Sequence, residues 1–310
     1  MLELPAQWHP RGGRIVAKLE SLNPTLSFKD RAMALGAAHA VDRGMRGLLL
    51  ASTGNAAVSA AAYAAAAGLE CRVLVGSRSN ADRKLDACRM LGADVEEVPG
   101  DYSAAYALAC EREGSSWLNV STTYRNPVLA EAYRVLAFEL VDQLGEVPEA
   151  VVVPVGAGPL LRGIERGFVD LRTCGLGDRV PRMVGVQAAA VAPVRAAWLR
   201  RCGRNADPAA ATNSTIATAI ADPLRGYADH ADITVDAVLR SAGAVVSVTD
   251  AAITEASGRL LRAGVWVEPS AAAALAAVGD PEVVGLLSGE SCVVLVMTGH
   301  GAKAGRVSEG

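Results

Sequence analysis

Lys29 stands in Ser27-Phe28-Lys29-Asp30-Arg31-Ala32-Met33, just after Asn23-Pro24-Thr25, where an extended approach set by Pro24 gives way to an alanine-rich amphipathic run. Phe28, beside it, is one of only three phenylalanines in the chain. An amine packed against apolar neighbours loses hydration, which lowers its pKa and makes it a nucleophile able to form a Schiff base. The same seven residues also suit a solvated lysine at a helix start, because most lysines are exposed. By themselves they leave both readings open.

Three other segments place small polar groups or glycines just after an apolar strand, the first two of them before a helix. Ala51-Ser52-Thr53-Gly54-Asn55-Ala56-Ala57 places small polar side chains and backbone N–H groups at a positive helix N-terminus, a cradle for a carboxylate or phosphate. It also reads as an ordinary N-cap made by Ser52, Thr53 or Asn55. Pro154-Val155-Gly156-Ala157-Gly158-Pro159-Leu160-Leu161-Arg162-Gly163 lets the backbone approach a phosphate closely. A dinucleotide fingerprint would need a third glycine at Leu161, and a Walker-type loop a Gly-Lys-Ser/Thr ending, so the loop suits one isolated phosphate or a plain strand-to-helix turn. In Val296-Met297-Thr298-Gly299-His300-Gly301-Ala302-Lys303, the Thr298 hydroxyl suits a neutral hydrogen bond to a heteroaromatic nitrogen, and His300 reads as a local hydrogen-bond partner.

The elements that must hold these segments are short aliphatic runs alternating with longer Ala/Leu-rich patterns, the mark of βαβ units and an α/β fold with parallel-type sheets. Strands are expected at Arg14–Leu19, Gly47–Ala51, Cys71–Val75, Asp94–Val98, Ala150–Val155, Met183–Gln187, Ala244–Val248 and Cys292–Met297. The runs at 150–155 and 293–296 lack polar alternation and read as central strands covered on both faces. With no linker and no internal repeat, a second domain is interleaved rather than tethered. The irregular stretch from Cys202 to Asp229, with Gly203, Asn205, Asp207, Pro208, Asn213, Asp222, Pro223 and Gly226, suggests loops and an active-site cover. Arg200, Arg201 and Arg204 read as a solvated face.

Composition narrows the function classes. The 310 residues, 51% hydrophobic, suffice for a large core and two domains. A net charge of −3, from 30 basic and 33 acidic residues without long runs, gives no footprint for nucleic acid or an anionic membrane. Met1 to Gly13 has no apolar signal-peptide core and Ala56–Ala67 is too short to span a bilayer, so a cytoplasmic protein is expected. The six cysteines are scattered, with no C-x-x-C and no histidine clustered near them, which predicts neither a metal site nor a disulfide framework.

Taken in order along nearly the whole chain, these segments resemble the fold-type II family of pyridoxal-phosphate enzymes, in wording closest to its threonine synthase branch. Asn23-Pro24-Thr25 with Ser27-Phe28-Lys29-Asp30-Arg31 resembles the family's Schiff-base lysine segment, Ser52-Thr53-Gly54-Asn55 its asparagine loop, and Pro154-Val155-Gly156-Ala157-Gly158 its phosphate loop. Val184-Gly185-Val186-Gln187-Ala188, Glu268-Pro269-Ser270-Ala271-Ala272 and Thr298-Gly299-His300-Gly301 with Lys303 are similar to its later signatures. The resemblance implies pyridoxal 5′-phosphate as cofactor, with Lys29 catalytic. It implies a cofactor-binding set of Phe28, Lys29, Asn55, Gly156, Ala157, Gly158, Leu160 and Thr298, and substrate contacts from Ser52, Thr53 and Asn55. It further implies two interleaved domains, a larger cofactor-binding one of residues 1–31 and 127–310 and a smaller substrate-side one of 32–126, in a homodimer.

The implied activity is a lyase that eliminates or replaces a group at the β or γ carbon of a small amino acid, as in turning phosphohomoserine into threonine. The alternatives are a serine/threonine-type dehydratase or ammonia-lyase, a β-replacement synthase, and a noncatalytic cofactor-binding homologue. Three departures bear on this. Asn126-Pro127 is followed by Val128-Leu129, so an arginine that would help hold a substrate phosphate is replaced at Leu129, with Arg125 just before Asn126. Pro159 removes one N–H from the phosphate loop. The family's Gly-x-Thr-Pro-Leu segment is absent, Leu2-Glu3-Leu4-Pro5 being its remnant.

Overall fold

The computed structural model describes residues 1–77, 82–205, 214–289 and 291–303. From the first residues, β1 (Leu2–Glu3) lies antiparallel on β2 (Arg14–Lys18). There follow α1 (Lys29–Asp42), β3 (Gly47–Ala51), α2 (Asn55–Ala66), β4 (Glu70–Gly76), α3 (Asp82–Met90), β5 (Asp94–Val98), α4 (Tyr102–Glu111), β6 (Trp117–Asn119) and α5 (Pro127–Glu131). After α6 (Val135–Leu144) come β7 (Ala150–Pro154), α7 (Pro159–Thr173), β8 (Arg182–Ala188), α8 (Pro193–Arg201) and α9 (Asp229–Arg240). The chain continues through β9 (Ala244–Val248), α10 (Asp250–Arg262), α11 (Pro269–Ala276), α12 (Pro281–Val284) and β10 (Cys292–Val296).

The chain forms two compact units, one of Met1–Ser21 with Tyr133–Gly310 and one of Leu22–Ala132. The divisions fall at 21/22 and 132/133 rather than 31/32 and 126/127, so the lysine segment belongs to the smaller unit. The reason is packing. Asp30 of α1 is hydrogen-bonded to Ser59 of α2, and Leu129 of α5 packs so close to Gly36 of α1 that a Cβ there would meet it at 2.9 Å.

In the larger unit a six-stranded sheet runs β1-β2-β10-β7-β8-β9, parallel throughout except for β1. β7 and β10 are buried at every residue, as unalternated Val runs require when helices cover both faces. The α7 residues Leu160, Leu161, Ile164, Phe168 and Leu171 recur at helical spacing and are all buried. In the smaller unit the sheet β5-β4-β3-β6 is wholly parallel, and its core joins Leu49, Ala51, Leu74 and Val98 to Ala105 and Ala109 of α4.

Cys71 and Cys292 are buried, and burial pushes their thiols up to about 12 and about 11, which makes them inert core residues. Among the described residues no group of acidic, histidine or cysteine side chains could hold a metal ion, and no helix is long and apolar enough to cross a membrane. Of the irregular stretch, Asp207, Pro208 and Asn213 lie outside the described residues. Its later part is tied down, with Ile216 N–H bonded to Asp250 and Ala219 N–H to Ser270. Arg201 pairs with Asp236 and Arg204 with Glu282, so that face is exposed yet ion-paired.

Candidate active site

In the smaller unit, the Asn23-Pro24-Thr25-Leu26 turn closes with Leu26 N–H on Asn23 O at 2.7 Å and leaves Leu26 left-handed, at φ 63°. A branched side chain rarely adopts that conformation, and such strain gathers at functional sites. What holds the turn is Asp30, 2% exposed. Its carboxylate accepts Thr25 N–H at 2.6 Å, the Thr25 hydroxyl, and the Ser59 hydroxyl at 2.5 Å. Three donors satisfy a charge that burial alone would disfavour. Burial and then the Asp30 charge push the nearby Tyr63 phenol up. Lys29 is thereby fixed as the first residue of α1, half-buried, its Nζ 4.7 Å from the centre of the Phe28 ring.

Asn55 is the first residue of α2 and is buried. It lies one turn before Ser59 on the same helical face, so the Asp30–Ser59 bond brings the first turns of α1 and α2 side by side. No capping side chain serves α2: Gly54 occupies the cap position, and Ser52 Oγ instead accepts the Gly54 N–H at 3.1 Å within the loop. The N-cap reading of Ser52, Thr53 or Asn55 is therefore corrected, because the hydroxyl turns back before the helix begins. The cap residue thus gives the positive helix end no side-chain acceptor.

In the larger unit, β7 leads into Val155–Gly158 and then into α7, with Pro159 as its first residue. Gly158 has φ 101°, and a Cβ there would lie 2.3 Å from Thr234. The loop's carbonyls are pinned. Gln187 Nε2 donates to Val155 O at 3.3 Å and Gly156 O at 3.1 Å, and Thr234 Oγ1 donates to Ala157 O at 2.5 Å. The other end of the buried Gln187 amide accepts Val194 and Arg195 N–H at the start of α8. Among the described residues, the N–H groups of Gly156, Ala157 and Gly158 meet no acceptor. Leu160 packs into the core, so only its backbone can serve a ligand.

Thr298 follows β10, the neighbour of β7, and both turns lie at the carboxyl ends of parallel strands, where ligands bind in open α/β sheets. It is buried. The segment after it is strapped to residues 266–268 by Glu268 N–H on Gly299 O at 2.9 Å and Gly301 N–H on Trp266 O at 3.2 Å. Trp266 lies against Gly301, where a Cβ would be 2.1 Å from the indole nitrogen, and edge-on to His300. His300 accepts Ala302 N–H at 3.1 Å, the local role its sequence position suggests.

The structure thus gathers Phe28, Lys29, Ser52, Thr53 and Asn55 in one unit and Gly156, Ala157, Gly158, Leu160 and Thr298 in the other. Asp30, Gln187 and Thr234, which position these groups, are not distinguished in the sequence by residue type. Leu129 is fully buried against Gly36 and serves here as a packing residue, while Arg125 is paired with Glu113 at 2.9 Å. Two surface cavities of the larger unit, about 320 Å³ beside Trp8 and Arg259 and about 540 Å³ beside Arg179 and Ser291, include no candidate residue.

The residues fit pyridoxal phosphate. A primary amine starts a helix, a glycine loop presents N–H groups without acceptors to an anion, and a buried hydroxyl is available to a ring nitrogen. Residues 1–299 match the family model described as Pyridoxal-phosphate dependent enzyme. The threonine synthase of Mycobacterium leprae is 36% identical over 304 residues, 98% of this chain and 81% of that protein. That of Methanocaldococcus jannaschii is 35% identical over 291 residues, 93% of this chain and 70% of that protein. The crystal structure of a fungal L-serine ammonia-lyase from Rhizomucor miehei has a TM-score of 0.76, covering 96% of this chain and 92% of that one. Its sequence is 22% identical, a likeness of fold alone.

Proposed function

The chain belongs to the pyridoxal-phosphate-dependent enzymes, with pyridoxal 5′-phosphate as its cofactor, and from that premise we propose a lyase of threonine synthase type acting on a small amino acid by elimination or replacement at the β or γ carbon. The observation that carries the reading is 36% identity to a threonine synthase across 98% of this chain. When bound, the cofactor supplies an electron sink that stabilises negative charge at the substrate's α-carbon. Lys29 holds the cofactor and moves the proton at that carbon, from a helix start kept in place by Asp30. Asn55 bonds the cofactor's 3′ oxygen, and the N–H groups of Gly156, Ala157, Gly158 and Leu160 take its phosphate. Thr298, a neutral hydroxyl, faces the ring nitrogen, which favours elimination and replacement over transamination. Ser52, Thr53 and Asn55, at an uncapped helix end, take the substrate carboxylate. A homodimer and a cytoplasmic location go with this reading.

A second reading, release of ammonia and a 2-oxo acid from serine or threonine, is favoured by one observation. Position 129 carries an uncharged, buried leucine and Arg125 is engaged by Glu113, so neither offers a ready cation to a substrate phosphate. One set of assays tests both. Purified protein supplied with cofactor shows a visible absorbance band, and Lys29→Ala removes it. Phosphate and threonine formed from phosphohomoserine support the first reading, whereas ammonia and 2-oxo acid formed from threonine or serine select the second. A wild-type protein that stays colourless with added cofactor sinks both.

A further inference from the structure

The pairing between β3 and β6 ends early. Gly47, Leu48 and Leu49 match Trp117, Leu118 and Asn119, and Val120 N–H reaches Leu49 O at 2.8 Å. One step further the ladder is continued by a side chain, with Ala51 N–H donating to Ser121 Oγ at 3.0 Å. Ala51 is the last residue before Ser52-Thr53-Gly54-Asn55 and is buried. Ser121 cannot swing away, because its hydroxyl donates to Asn119 Oδ1 at 2.6 Å and its own N–H reaches the same atom at 3.0 Å. Asn119, also buried, is oriented in turn: its Nδ2 donates to Glu113 at 3.2 Å, and Glu113 is held by Arg125 at 2.9 Å. The polarity of every link follows. Glu113 can only accept, so the Asn119 amide must present its oxygen to Ser121, and Ser121 must present a lone pair to Ala51.

We infer that Ser121 and Asn119 are positioning residues for the asparagine loop, setting where Ser52, Thr53 and Asn55 stand when they take the substrate carboxylate. The inference rests on the role proposed above for that loop. A hydroxyl suits this position because it accepts from the backbone and donates to the amide at once. Removing it leaves a buried N–H without an acceptor at the hinge of the loop.

The test compares the wild-type holoenzyme with Ser121→Ala, Ser121→Thr and Asn119→Asp, the last placing a carboxylate against Glu113. Hydrogen exchange is followed in the peptide spanning residues 50–57, and steady-state kinetics use the amino acid the wild type turns over best. In Ser121→Ala and Asn119→Asp, exchange in that peptide accelerates at least tenfold while peptides from β4 and β5 are unchanged. KM rises at least tenfold, kcat stays within about threefold, the visible cofactor band persists, and Ser121→Thr restores both exchange and KM. Unchanged exchange in Ser121→Ala overturns the inference, and so does faster exchange with unmoved KM. A wild type without a cofactor band fails the lyase reading instead, and the exchange result then stands for the loop alone.

Discussion

The chain builds the same device twice, as a turn from a buried parallel strand into an uncapped helix, and holds the two copies in different ways. The Ser52–Asn55 turn is ordinary in its backbone: Gly54 has φ −115°, and a Cβ there would meet nothing closer than Ser52 Oγ at 4.0 Å. The Val155–Gly158 turn is left-handed at Gly158, crowded by Thr234, and fastened through its carbonyls by Gln187 and Thr234. The first turn leaves room for polar side chains. The second strips side chains away and turns its carbonyls to neighbours, so that only N–H groups face outward. One geometry offers a ligand side chains that can adjust, the other a fixed row of backbone donors.

The sharpest way to break this comparison is to add one methyl group to each turn. Gly158→Ala places a Cβ in a left-handed backbone and into Thr234, which costs about 3–5 kcal/mol and at least a hundredfold in cofactor affinity. Gly54→Ala costs under about 1 kcal/mol. Thermal unfolding and titration of the visible band read both variants, and equal effects would erase the distinction. Gln187→Ala leaves Val194 and Arg195 N–H groups and two loop carbonyls without their partner. It should cost about 2–4 kcal/mol in stability and loosen cofactor binding, while KM for the amino acid stays within a few-fold. The smallest effect sharpens the comparison by its signs. Pro159→Ala supplies a further N–H at the first position of α7 and should tighten cofactor binding by about 1 kcal/mol, roughly fivefold. It should also lower stability by about 0.5 kcal/mol as the unfolded chain gains freedom. A proline-free loop that binds the cofactor no better would show that this N–H points away from the phosphate.

The glycine turn was legible in the sequence because its needs are local: a valine run, two glycines and a helix former, in that order. The strands at Gly47–Ala51 and Ala244–Val248 fall where the aliphatic runs stand for the same reason. What the sequence hid is relational. Asp30, Gln187 and Thr234 are unremarkable by type, and their roles exist only because distant elements bring them Ser59, Val194 and Ala157. The place of Leu129 after Asn126-Pro127 marks it as a replaced arginine but not as a core residue, which it becomes through Gly36, 93 residues earlier. The boundary of the smaller unit moved for the same cause, since α1 joins whatever its face packs against. Trp117–Asn119, a three-residue edge strand, is too short for alternation to register.

The position of β10 between β2 and β7 governs when each unit can form. Among the described residues the strands of the smaller unit lie within residues 47–119 and pair with one another, so that sheet can close while later residues are still being synthesised. The larger sheet cannot. Its second strand, paired with β1, ends at Lys18 and must wait for Cys292–Val296 to join it to β7, which has by then only β8 beside it. Closing so long a loop is slow relative to local pairing. β2 and β7 therefore each keep one open edge until β10 is made, and that pair of open edges is where the newborn chain is most exposed to aggregation.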